Sequence, residues 1–288
     1  MKKLVVLSGK GGTGKTTVSA ALATYWAHRA VYVDADVDAA NLHLVLRPME
    51  NELHPFWGGV LPWVDAGLCD GCGRCTDVCR FGAIAAGRVS RVSCEGCGAC
   101  AGACPVGAIE LKERHVADWY LGRTTYGPLL HARLLSGEGN SGKLVAVLKE
   151  EAEKVAAGER AELLLCDGPP GVACPVLASM AGMDAVLAVA EPSAAGLHDL
   201  RRILDLAERF RLACSVALNR SDTSEDARRA ILEECGGRGV PVEAEIPFDP
   251  TVLSCTEKGT PVTTEPGSPA ARALWSLSRA LAQRLERL

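Results

Sequence analysis

Long apolar runs are missing from this 288-residue chain. None approaches the roughly 18 residues of a membrane-spanning helix, so a helical span is excluded. The opening MKKLVVLSGK begins like a secretion signal, yet its apolar run is only Leu4–Leu7 and passes straight into a glycine-rich loop. That predicts a buried first strand and a cytoplasmic protein. An excess of one charge is also lacking. Lys and Arg number 31 against 35 Asp and Glu, a formal net charge of −4, which gives no electrostatic reason to expect nucleic acid as a partner. The six histidines, His131 and His198 among them, show no ligand spacing and are assigned to packing or capping.

What is present is an ordinary globular composition, 48% hydrophobic and 23% charged, in a chain long enough for about two domains. Thirteen cysteines stand out, eight of them between Cys69 and Cys104. Clustered cysteines in a cytosolic chain suggest metal before disulfide.

Outside that cluster, short apolar runs alternate with helical patterns, the signature of βαβ units and a parallel sheet. Strands are predicted at Lys3–Ser8, Ala30–Asp34, Glu162–Asp167, Ala185–Ala190, Ala213–Asn219 and Val242–Ile246. Helices are predicted at Lys15–His28, Lys143–Ala157, Gly196–Phe210, Ser224–Cys235 and about Ala270–Leu288. The run 51–114, rich in Gly and Cys, breaks the rhythm. It predicts a small domain inserted into an α/β host made of residues 1–50 and 115–288.

The host opens on SGKGGTGKTT, Ser8–Thr17, which contains G-x-x-x-x-G-K-[ST] from Gly9 through Gly14, Lys15 and Thr16. In such a loop the backbone N–H groups of Gly9, Lys10, Gly11, Gly12, Thr13 and Gly14 cradle phosphates. Lys15 reaches the β/γ-phosphates, and Thr16, beside Thr17, holds Mg²⁺. The preceding strand and the following helix supply the required context. Lys10 is surplus to this pattern. Downstream, VYVDADVDAANLHL ends a strand in carboxylates, and those of Asp34 and Asp36 point toward the crevice where open α/β sheets bind ligands. LLLCDGPPG then carries a buried strand into Asp167, a second Mg²⁺-associated carboxylate, and into Gly171, whose N–H is expected to be free for a γ-phosphate.

The cysteines repeat. CDGCGRCTDVC places Cys69, Cys72, Cys75 and Cys79 in C-x₂-C-x₂-C-x₃-C, and CEGCGACAGACP repeats it at Cys94, Cys97, Cys100 and Cys104. FGAI and VGAI follow the two runs, a sign of internal pseudo-symmetry. Paired C-x₂-C motifs also bind zinc, but the double repeat argues for iron–sulfur clusters. Cys166 and Cys214 sit in apolar strands as core residues, and Cys174 is assigned to packing.

Taken together, KGGTGKTT, DADVD and DGPPG resemble the deviant-Walker ATPases of the MinD/ParA superfamily. The cassette resembles a two-cluster bacterial ferredoxin, so the whole looks like a MinD-type P-loop ATPase with an inserted ferredoxin domain. The resemblance implies an α/β P-loop fold with a mostly parallel sheet flanked by helices, plus a small α+β ferredoxin-like insert. It implies ATP with Mg²⁺, a homodimer closed across the nucleotide, and a catalytic set of Lys10, Lys15, Asp36 and Asp167. Lys10 would act in the partner chain's site and Asp36 would orient the attacking water. Asn219 in ALNRSD would contact adenine, although NRSD also resembles a guanine-reading motif. EIPFDP, Glu245–Pro250, would cover the nucleotide edge. Two 4Fe–4S clusters are implied, one on Cys69, Cys72, Cys75 and Cys104, the other on Cys94, Cys97, Cys100 and Cys79. The pattern departs where Arg80 replaces a proline after Cys79; a positive charge there favours a reduced cluster. The expected function is ATP-gated electron transfer to a redox or iron–sulfur partner protein. The alternatives are an iron–sulfur carrier and a positioning ATPase whose clusters are structural. A membrane role for the leucine stripe of the last helix (Leu274, Leu277, Leu281, Leu285 and Leu288) is the weaker option beside covering the sheet.

Overall fold

The computed structural model describes every residue except Asn140, and every side chain except those of Asn140 and Glu50. From the N-terminus come β1 (Lys2–Ser8), α1 (Lys15–Tyr25), β2 (Ala30–Asp34), α2 (Leu42–Leu46) and β3 (Met49–Val64). Next are α3 (Arg74–Asp77), β4 (Ile84–Ala85), β5 (Arg88–Val89) and α4 (Ala99–Ala103), then β6 (Ile109–Thr124) and β7 (Gly127–Leu134). The remainder alternates: α5 (Ser141–Gly158), β8 (Leu163–Pro170), α6 (Cys174–Met180), β9 (Ala185–Ala190), α7 (Ala194–Arg209) and β10 (Ala213–Asn219). It ends with α8 (Glu225–Gly237), β11 (Val242–Ile246), α9 (Thr251–Lys258) and α10 (Pro269–Glu286).

The strands order as β11-β10-β9-β1-β8-β2-β7-β6-β3. β1 pairs in parallel with β8 and β9, β2 with β8 and β7, and β10 with β9 and β11. The apolar runs of β2 and β9 are buried at every residue, as parallel strands covered on both faces require. Helices α7, α8 and α10 each start on a serine, Ser193, Ser224 and Ser268, whose hydroxyl accepts a backbone N–H of the first turn. That N-cap is what fixes their starting points.

By contact density the chain divides into two compact units. The first comprises Met1–Leu53, Trp119–Arg133 and Ser141–Leu288; the second comprises His54–Asp118 with Leu134–Asn140. The first has a continuous core that includes Leu4, Val6, Leu22, Tyr32, Leu165 and Leu187. Leu274, Leu277, Leu281 and Leu285 of α10 belong to it, and α10 packs against β11 and α1. The leucine stripe is therefore committed to the interior and only Leu288, half exposed, lies outside.

The second unit has a small core of Ile84, Cys100 and Ile109, with Val64, Cys75, Cys79, Val89 and Cys104 packed on it. Its β4 and β5 form an antiparallel pair, Ile84 opposite Val89. Its one-turn helices α3 and α4 both follow a left-handed glycine, Gly73 and Gly98, so the sequence repeat is also a repeat of conformation. The boundary between the units falls inside β3 and β6 rather than at the composition change near residues 51 and 114. The strand patterns missed β3, β6 and β7 altogether. Val116 and Ala117 are buried in β6, and Leu129 and Leu130 in β7. β3 carries a Pro-Phe-Trp-Gly-Gly stretch that reads as loop, and β6 opens on a charged stretch, Glu110 and Lys112–Arg114, with Trp119 and Tyr120 following only later.

Candidate functional site

The glycine-rich loop leaves β1 and enters α1 at Gly14, which sits at φ +96°. A Cβ at Gly14 would run into the Asn219 amide, so glycine is required on both counts. At the loop's start, a Cβ on Gly9 would strike Asp199 of α7. Gly11 and Gly12 are exposed, Thr16 and Thr17 half-buried, and Thr13 and Lys15 buried, Lys15 at 6% exposure. The main chain is pinned at Lys10, whose carbonyl accepts the Ser8 hydroxyl at 2.7 Å and the Thr13 hydroxyl at 3.4 Å. The first turn of α1 thus presents N–H groups and a lysine at one spot, a ready anion site.

Three carboxylates gather near this helix end. Asp167, at the end of β8, accepts the Thr16 hydroxyl at 2.8 Å and the Ser19 hydroxyl at 2.9 Å. Burial raises its carboxyl above the usual range, opposed by Lys15 and by those hydroxyls. Asp34 is fully buried, and burial together with repulsion from Asp167 puts its carboxyl well above the usual range. It accepts the backbone N–H of Asn41 and Leu42, each at 2.9 Å, and of Asp36 at 3.2 Å. Asp34 therefore shapes the segment that carries Asp36. Asp36 itself is half-buried and raised, by burial first, with Lys15 opposing. Thr16 beside a buried carboxylate pair is an oxygen-rich donor set that suits Mg²⁺, whose charge would return the carboxylates to their ionised form.

Two sequence expectations change in detail. The Gly171 N–H is not free: it donates to Ser8 O at 2.9 Å, because the β1–β8 register shifts between Val6 and Ser8 and sets Ser8 opposite Pro170. Asn219 donates one Nδ2 N–H to Thr13 O at 2.8 Å, so part of its amide holds the phosphate loop, and its second N–H and its oxygen are left for a base. Nearby, Asp222 accepts the Phe248 N–H at 2.7 Å. Asp249 of EIPFDP is turned inward to the Ser268 hydroxyl and the Ala270 N–H at the start of α10. Sequence reasoning missed Glu191, at the end of β9. Its carboxylate pairs with Lys10 and, at 3.2 Å, with Arg220. No motif pointed to it.

The eight clustered cysteines fall around two cavities in the second unit. One, of about 490 Å³, is lined by Cys69, Cys72, Cys75 and Cys104. The other, about 20 Å³, is lined by Cys79, Cys94, Cys97 and Cys100. The fourth cysteine of each run thus lies with the other run. The Ala83 N–H donates to Cys79 Sγ at 3.2 Å, and the Ala108 N–H to Cys104 Sγ at 3.3 Å. At Cys79 the N–H contacts from the following turn, that of Ala83 first, hold the thiol below its usual range. Arg80 lies over the Phe81 ring, 5.5 Å from its centroid.

Among the described residues, no three His, Cys, Asp or Glu side chains converge on a point suited to a single metal ion. A lone zinc would need sulfurs at about 2.3 Å from one centre. The cavity of about 490 Å³ leaves its four thiols room for a group larger than one ion, whereas the one of about 20 Å³ has room for about a single water as it stands. Elsewhere Cys166 is buried and its thiol pushed up to about 12 by burial. Cys214 is likewise pushed up to about 12, whereas Cys174 is exposed.

Comparison with known proteins agrees with the nucleotide half. The family signature described as the CobQ/CobB/MinD/ParA nucleotide binding domain matches residues 4–262. An uncharacterized protein of Methanocaldococcus jannaschii is 35% identical over 221 residues, which is 76% of this chain and 78% of that one. Among solved structures, the septum site-determining protein MinD of Pyrococcus horikoshii, complexed with Mg-ADP, superposes with a TM-score of 0.59 at 21% identity. It covers 97% of this chain and 95% of its own. The Cyanothece McdA(D38A)–ATP complex gives 0.61 at 18% identity, over 98% and 96%. At these identities the likeness is one of fold.

Proposed function

Because the chain belongs to the CobQ/CobB/MinD/ParA nucleotide-binding family, we propose that it is an ATPase of the MinD/ParA kind that couples ATP-dependent pairing of two copies to a two-cluster iron–sulfur unit, which exchanges electrons with a partner protein. The observation that carries this reading is the sorting of eight cysteines into two cavities of four, the sets crossing between the two sequence runs.

At the nucleotide, the loop N–H groups and Lys15 hold the phosphates, and Thr16 with Asp167 would hold Mg²⁺, which supplies charge neutralisation. Asp36 orients the attacking water. Lys10 leaves Glu191 to neutralise phosphate charge in the partner chain's site, so pairing and hydrolysis become one event. In the second unit Cys69, Cys72, Cys75 and Cys104 would hold one 4Fe–4S cluster and Cys79, Cys94, Cys97 and Cys100 the other. Bound clusters supply one-electron exchange. The protein's part is to offer soft thiolates, N–H groups to their sulfurs and a shield from water.

The test is anaerobic reconstitution, iron and sulfide analysis, and an EPR-monitored redox titration with and without MgATP. About eight irons per chain, in two signals whose potentials move with nucleotide, is the expected result. Each 59 mV of movement is about a tenfold change in relative affinity. Zinc instead of iron, or potentials indifferent to MgATP, would overturn it. ATP-dependent loss of iron to an apo-acceptor would turn the reading toward a cluster carrier. The fold likeness to MinD and McdA favours a second reading, a positioning ATPase with a structural second unit. ATP-dependent binding to lipid vesicles or DNA would establish it.

A further inference from the structure

Residues 135–139, which follow β7, carry Glu138, whose side chain is only 3% exposed. Two arginines of the second unit converge on that carboxylate. Arg91 Nε donates to Oε1 at 2.8 Å. Arg114, itself 10% exposed, brings Nε to 2.5 Å from Oε2, an ion pair whose donor is not aligned as a hydrogen bond. The other guanidinium nitrogens reach main chain. Arg114 Nη1 donates to Cys94 O at 3.2 Å and Nη2 to Arg91 O at 2.9 Å. Arg91 Nη2 donates to His115 O at 2.8 Å. The Leu135 N–H donates to Val116 O at 2.9 Å, and the Glu138 N–H to Leu135 O at 3.0 Å. A carboxylate buried this deeply is retained only where its charge is matched.

The consequence concerns one cysteine run and not the other. Cys94 opens the second run, and its carbonyl is held by Arg114. Both runs open on the same local turn, Cys69 N–H to Asp65 O at 3.0 Å and Cys94 N–H to Ser90 O at 3.1 Å; among the described residues only the second has a side chain holding its first cysteine's carbonyl as well. We propose that Glu138 is a positioning residue for the second four-cysteine site. It fixes the Arg91–Arg114 pair and through it the main chain at Cys94. It also ties that site to the segment running into α5, which starts at Ser141. The proposal rests on the cluster reading for its purpose, but its geometry is independent of it.

Glu138→Gln keeps the shape and removes the charge, leaving two arginines unmatched. The first readout uses the full-length, metal-free, reduced chain, with alkylation of each cysteine followed by peptide mass spectrometry. Cys94 should react about tenfold faster in the variant, as local protection is lost, with Cys69 and Cys72 unchanged. Arg91→Ala, altering a half-exposed side chain, should move Cys94 the same way by less. ATP binding serves as the folding control. Equal acceleration of Cys94 and Cys69, or no change in either, overturns the proposal.

The second readout is the EPR titration of the reconstituted protein. One of the two cluster signals should shift or broaden in Glu138→Gln while the other keeps its potential. Two unchanged signals overturn the proposal. Failure of the wild-type chain to take up iron instead overturns the cluster reading, and is told apart by the Cys94 result.

Discussion

The two units of this chain build their interiors from different materials. The first encloses long aliphatic side chains from β1, β2, β8 and β9 and closes them over with α1 and α10. The second, with fewer than about 80 residues, is in the range where a single core supplies little stability. Its buried centre is Ile84, Cys100 and Ile109, and its packing partners are largely the cysteines themselves. A unit whose core residues are also its proposed ligands makes binding free energy into folding free energy. Nucleotide operates on a framework that stands without it, whereas the proposed clusters would belong to the framework they sit in.

The largest expected effect comes from attacking that asymmetry directly. Removing iron from the reconstituted protein with a chelator should raise hydrogen exchange most in α3, α4 and the β4–β5 pair, which pack on the proposed ligand cysteines. The main chain at Cys94, held by Arg114 and Ser90 without any sulfur, should keep part of its protection. β1, β8 and β9 should stay protected, because coupled metal binding contributes on the order of 10 kcal/mol in small metal-held units. Simultaneous loss of protection in both units would break the comparison. The complementary experiment is Lys15→Ala. It should lower ATP hydrolysis by about 10²–10³-fold, the loss expected for one donor aimed at developing charge, with iron content unchanged. A fall in iron content would show that the second unit depends on the first after all.

The same division explains what the sequence made legible. β1, β2 and β8–β10 were recognisable because a strand buried on both faces is a continuous apolar run, and Leu4–Leu7 or Ala185–Ala190 fits no amphipathic pattern; the edge strand β11, VEAEI, is mostly half-buried and shows by alternation instead. β3 and β6 were not, since their interiors hold Pro55, Gly58 and Gly59 or Lys112 to His115, and periodicity carries no signal there. At the site, Lys15, Thr16 and Asp167 were legible because phosphate chemistry fixes their spacing along one strand–loop–helix unit. Glu191 and Glu138 were not. Each acts on cations distant in sequence, Glu191 on Lys10 and Glu138 on Arg91 and Arg114. Only folding makes such partners neighbours. The Gly171 N–H was misjudged for a related reason, since a one-residue register shift decides whether it is free.

A pH experiment sharpens the comparison within the first unit. Asp249 is buried, which pushes its carboxyl up, but hydrogen bonds from Ser268, Thr251 and Ala270 outweigh this and hold it at about 2. Its folded value is depressed, so its contribution is fully present above the unfolded value of about 3.9. It is lost as pH falls through about 2. Asp249→Asn should therefore cost about 1–3 kcal/mol at neutral pH, the charge for leaving α10's cap unsatisfied. The difference from wild type should narrow between those two values, as measured by denaturant titration. A constant difference across that range would mean that packing, not charge, holds the cap.

The smallest effect should be Tyr32→Phe. The hydroxyl of this fully buried ring lies 3.1 Å from Ala23 O and from Trp26 O, and 3.3 Å from Tyr126 O. A single O–H donates to one of them at a time, and two keep another donor: Trp26 O accepts the Arg29 N–H and Tyr126 O the His28 N–H. Little is left unsatisfied, so the loss should be about 0.5–1.5 kcal/mol, a few degrees in Tm. Cluster potentials and Cys94 alkylation should not move. If this substitution within β2 did shift them, the core of the first unit would be coupled to the second, and the two interiors would have to be treated as one.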